Sequence, residues 1–218
     1  MLAVLVAALA ATVTGAAWAS ARGAGGRAGA MMTTSGYGSA GMMGGARYGS
    51  GMMAGGYGVA GDGRRVGSPA AARGRAQVLA DQWGLRAGEV MSFSNGFYAE
   101  LVTADGQGAT EVLVDPANGS VSVEPGPAMM WNVTYGVRPG AVAATPRVSP
   151  SEAVTAAQRW LDEQRPGLTA GDAEQFPGYY TLHTLRGGKI VGMMSVNAST
   201  GAVWYHTWHG QFIAMSEG

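Results

Sequence analysis

The chain has no cysteine. Disulfides, thiolate metal sites and cysteine nucleophiles are thereby excluded. A cysteine-free sequence also suits an oxidising compartment, where an unpaired thiol is lost. Catalytic signatures are missing too. The three histidines lie in no HExxH or nucleophile-elbow context, and no GxGxxG follows a strand ahead of a helix. The sequence therefore reads as non-enzymatic. The apolar run at residues 2–13 is twelve long, broken only by Thr12. That is too short to span a bilayer and has the length of a signal-peptide core. Ala17-Trp18-Ala19 and Ala19-Ser20-Ala21 follow as cleavage sequences. Residues 1–21 are therefore expected to direct export to the periplasm, cell surface or medium. No Lys or Arg precedes the run, so an uncleaved leader acting as a weak anchor is the other outcome.

Net charge is zero but segregated. Seven Arg stand against Asp62 in residues 22–75, while residues 76–218 hold seven basic and thirteen acidic groups. The basic front could meet an anionic surface, or serve as a solubilising spacer. Export argues against a nucleic-acid partner.

Glycine is plentiful instead, 37 of 218 residues, with most of the excess over ordinary usage before residue 68. Residues 22–67 form a Gly-rich tract expected to stay disordered, because it offers too little apolar surface to offset its ordering entropy. Met31-Met32, Met42-Met43 and Met52-Met53 each lead to a Tyr-Gly pair in a repeat of about ten residues. Thioether sulfur is a soft ligand suited to copper(I), and convergence of several pairs could fold the tract around an ion. Sacrificial oxidation, an adaptable contact surface and drift of a repeat without a role are the competing readings.

The second half is one unit written twice. Residues 96–121 lie on residues 178–203 after a shift of 82 without a gap. The fold class expected is α+β: two tandem modules, each one helix packed on an antiparallel sheet of three to four strands. Module 1 covers 68–125, a linker 126–146, and module 2 covers 147–213. Ser68-Pro69 and Ser149-Pro150 read as helix starts, with Glu152 completing a capping box. Trp160 is expected to stand where Trp83 stands. Asn95-Gly96, Asp105-Gly106 and Asn118-Gly119 signal hairpins. By strand alternation Val112, Val114 and Met194 face the core, whereas Glu111 and Met193 face outward. His206 and His209 stand three apart in residues 204–210. On a straight strand they face opposite ways. If the chain turns there, both imidazoles could reach one ion, but two histidines make an incomplete site and structural or surface roles are the favoured reading.

Each half resembles the PepSY domain. The residues carrying the likeness are Gly96-Phe97-Tyr98, Asp105-Gly106, Val114-Asp115 and Asn118-Gly119 with Val121. In the second half they are Gly178-Tyr179-Tyr180, Gly187-Gly188, Val196-Asn197 and Thr200-Gly201 with Val203. The resemblance implies an exported, non-catalytic domain without catalytic residues. It points to a protein or peptide partner in the cell envelope and, by analogy with protease propeptides, to peptidase restraint. Copper handling through the Met tract is the alternative function.

Overall fold

Ser68 and Ser149 begin the two long helices. Each serine Oγ accepts from a backbone N–H of the first turn, at Ala71 and Glu152, and proline follows at the first helical position. Glu152 also accepts from the Ser149 backbone, completing the capping box; a cap of this kind stabilises by about 1 kcal/mol. The computed structural model describes residues 57–137, 139–140 and 146–216. The elements in chain order are β1 (Gly58–Val59), α1 (Pro69–Trp83), β2 (Arg86–Phe93), β3 (Gly96–Val102), β4 (Gly108–Val114), β5 (Val121–Val123) and α2 (Pro127–Met130). There follow α3 (Pro150–Gln164), β6 (Thr169–Phe176), β7 (Tyr179–Arg186), β8 (Lys189–Asn197), β9 (Val203–Tyr205) and β10 (Phe212–Ser216). The protein is α+β, with helices packed on two antiparallel sheets.

The repeat is visible in detail. β2–β5 and β6–β9 are four-strand meanders, and each opens with a helix across one face. A register shift falls at Ala87/Val90 in β2 and at Ala170/Ala173 in β6. The gapless shift of 82 holds only for part of the unit. Phe93 pairs with Gly96 as Phe176 pairs with Tyr179, so β3 and β7 correspond at a shift of 83. The last two strands of each meander keep 82. Tyr180 therefore corresponds to Phe97 on the helix side, and Tyr98 corresponds to Thr181 on the other. Trp160 does not take the place of Trp83. Gln77 and Gln158 make the same bonds in the two copies, which sets Trp160 on Leu79.

Three boundaries differ from expectation. The Gly-rich front does not remain outside the fold up to residue 67. Gly58–Val59 pairs with β5, and Val66 is buried against α1. The edge of β5 has unpaired backbone groups that accept the segment, and Arg75 clamps it through Ala60 O and Asp62. Residues 126–146 are not a plain linker, since α2 lies there and buried Asn132 donates to Ala109 O. The C-terminal segment does not end in the second module. β10 crosses back to pair with β2. With β1 and β10 added, the first sheet has six strands in the order β1-β5-β4-β3-β2-β10, and the second has four.

The helix-free faces of the two sheets pack on each other. Met91, Phe93 and Tyr98 of the first sheet form one buried cluster with Met193 of the second. Val112, Val114 and Met194 lie in the helix-side cores, as their alternation predicts. Glu111 and Met193 do point away from the helices, yet both are buried, because each sheet covers the other. The layers run α1, first sheet, second sheet, α3.

Candidate metal centre

Polar side chains buried between the sheets must find partners within the protein. Two of them come from the ends of equivalent strands. Glu124 follows β5, and its N–H donates to Glu111 O at 2.9 Å. His206 follows β9, and its N–H donates to Met193 O at 3.1 Å. These bonds are the same rung of the two copies, so Glu124 and His206 are equivalent positions brought face to face. Extending the repeat three residues past Val121 and Val203 pairs them. That extension is the sequence signal that would have found Glu124.

Beyond His206 the chain turns before entering β10, and His209 comes back to the same point. One ligand atom from each of Glu124, His206 and His209 lies within 4.8 Å of the others. The turn expected as a condition is thus present. Glu124 Oε1 stands 2.8 Å from His209 Nε2 and 3.7 Å from His206 Nδ1, and accepts from Trp208 Nε1 at 2.9 Å. The 2.8 Å contact lies off hydrogen-bond geometry, so His209 Nε2 counts as unpartnered. His206 Nδ1 and Glu124 Oε2 are likewise buried without a partner. The other His206 nitrogen, Nε2, is engaged by Ser195 Oγ at 2.9 Å, and Ser195 by Thr181 Oγ1 at 3.0 Å.

Rings fix both imidazoles. Phe93 stacks on His209 with centroids 4.2 Å apart, and Trp208 stacks on His206 at 4.5 Å. Burial governs the charges. It pushes Glu124 up to about 8, and lowers His209 to about 4. It also lowers His206 well below the ordinary histidine value, with His209 adding to the effect. By distance the histidines sit as ion pairs with Glu124; by electrostatics they are neutral imidazoles, and burial decides the matter. Neutral imidazole is the form that binds metal.

The donor set fits an ion. Tetrahedral ligands 2.0–2.1 Å from one centre lie about 3.4 Å apart, so closure from separations of up to 4.8 Å asks for shifts of about 1 Å. The bond from His206 Nε2 to Ser195 is the outer-shell support that metal-binding histidines usually have. Burial of Glu124 and His206, with half-buried Trp208 against them, closes the site to any substrate of size.

Met31, Met32, Met42, Met43, Met52 and Met53 lie outside the described residues. His183 is apart from the centre, with Nε2 3.4 Å from Glu89 Oε1. Ala128 of α2 and its neighbour Met129 pack with Val123, Phe176 and Tyr179 between the sheet ends. Among the described residues no helix is long and apolar enough to cross a membrane. Compared with known proteins, the chain matches no family model, no curated protein and no solved structure.

Proposed function

We propose that this is an exported, non-catalytic protein of the cell envelope whose tandem PepSY-like modules hold a divalent transition-metal ion between them. The observation that carries the reading is the convergence of Glu124, His206 and His209, with unpartnered buried ligand atoms at one point. Two nitrogens and an oxygen suit Zn(II) or Cu(II) better than Cu(I), which favours sulfur. Copper(I) handling remains assigned to the methionine tract.

The test is competition for metal against a chromogenic chelator, using the metal-free full chain. His206→Ala and His209→Ala should each weaken Zn(II) binding by more than about 100-fold, since loss of an outer-shell partner alone costs 10- to 100-fold. Zn(II) affinity equal to wild type in both variants would remove the reading. Deleting residues 22–56 should leave Zn(II) affinity intact and reduce Cu(I) capture; unchanged Cu(I) capture counts against the tract. Recovery of the chain in the cytoplasm with its first 21 residues intact counts against export.

A partner reading is favoured by one observation. With the open faces covered, a cleft of about 890 Å³ remains beside the start of β4 and the end of β6, lined by Gln107, Trp131, Thr134, Gln175 and Pro177. An extended peptide of an envelope protein would lie there. Thr134→Arg, at an exposed lining position, should abolish capture of such a partner; capture at wild-type levels sinks this second reading.

A further inference from the structure

Two neutral imidazoles and one carboxylate leave a bound divalent ion with one uncompensated positive charge. In a buried site that charge is costly unless a second anion stands near. Glu111 is the carboxylate in place. It is fully buried, and it sits directly across from Glu124 on the neighbouring strand, since Val112 pairs with Val123 and Glu124 N–H donates to Glu111 O. Tyr98 OH donates to Glu111 Oε1 at 2.7 Å. Oε2 has no partner. Tyr179 and Thr181 approach the carboxyl, though Tyr179 OH is itself without a hydrogen-bond partner. Glu111 acts electrostatically on His209 and is itself acted on by Glu124, which places it beside the centre but outside the group of three ligands.

We propose that Glu111 is the second carboxylate of the centre, held outside the ligand shell by Tyr98, where it neutralises a divalent ion and accepts from the water that completes its coordination. The inference rests on the metal-binding reading and adds its charge selectivity: three protein ligands, one water, and an outer anion that makes the whole electroneutral for a 2+ ion. The same site with a 1+ ion would carry a surplus negative charge.

Zn(II) is the probe, because its protein ligands are Cys, His, Asp and Glu rather than Met, so the methionine tract stays silent. In the metal-free full chain, Glu111→Gln keeps the shape and removes the charge. Zn(II) binding should weaken by about 10- to 100-fold. Wild-type affinity in Glu111→Gln overturns the proposal and leaves Glu111 as a partner of Tyr98 only; the histidine variants would still show whether the centre itself exists. If wild type binds no Zn(II), both readings fall. Should Glu111→Gln not fold, Tyr98→Phe frees the carboxylate without removing it. Zn(II) binding several-fold weaker is then expected, and unchanged binding again overturns the proposal.

Discussion

At Gly126, two residues past Glu124, φ is +87° and ψ −121°, a combination that costs a side-chain-bearing residue about 1–3 kcal/mol. A Cβ there would also stand 2.9 Å from the Trp208 ring, and Trp208 orients Glu124. Gly126→Ala should therefore lower stability by about 1–3 kcal/mol and loosen the centre, read as a fall in both urea midpoint and Zn(II) affinity. An unchanged midpoint would show that the loop relaxes freely. The histidines themselves were visible in the sequence as a pair three apart. Their partner Glu124 is 82 residues from His206 with no local mark, and only an extension of the repeat past Val121 and Val203 pairs the two.

Among the elements, the helix-to-sheet joint is built twice from one glutamine. Gln77 Oε1 accepts from Ala87 N–H at 2.9 Å, and Gln158 Oε1 accepts from Ala170 N–H at 2.9 Å. Each amide nitrogen donates to the aspartate four residues on, at 2.6 and 2.7 Å. Gln158→Ala should cost about 1–2 kcal/mol, measured by urea unfolding, with an equal loss for Gln77→Ala. A loss confined to one copy would break the equivalence. The serine caps, the one capping box and the hairpin turns were legible in the sequence because their chemistry is local. The glutamine joint was not, since its partner lies ten or twelve residues away across a turn.

The whole molecule buries acids between its layers, and this sets its response to pH. Burial holds the Glu100 carboxyl well above the usual range, and Glu174 and Glu89 push the same way. The folded state then keeps a proton that the unfolded state loses near its ordinary value of 4.5. Stability should fall as pH rises above that value, until the folded-state carboxyl also ionises. Glu100→Gln should flatten the decline between about pH 5 and 8 in urea unfolding; an unaltered slope would place the dependence elsewhere. Glu152 runs the other way. Its capping bonds hold its carboxyl low, so its contribution is present above the unfolded value and is lost as pH falls through the folded one.

The amino-acid sequence alone determined the duplication, the helix starts, the hairpins and which strand positions face the helices, because each depends on neighbours within a few residues or on alternation along a strand. It could not determine what covers the other faces. A strand's alternation distinguishes two sides but does not say whether the second side meets water or another sheet. Only the stacking of the two modules and the return of β10 decided that Glu111 and Met193 are interior. The same stacking turned Glu124, His206 and His209 from separate residues into one centre.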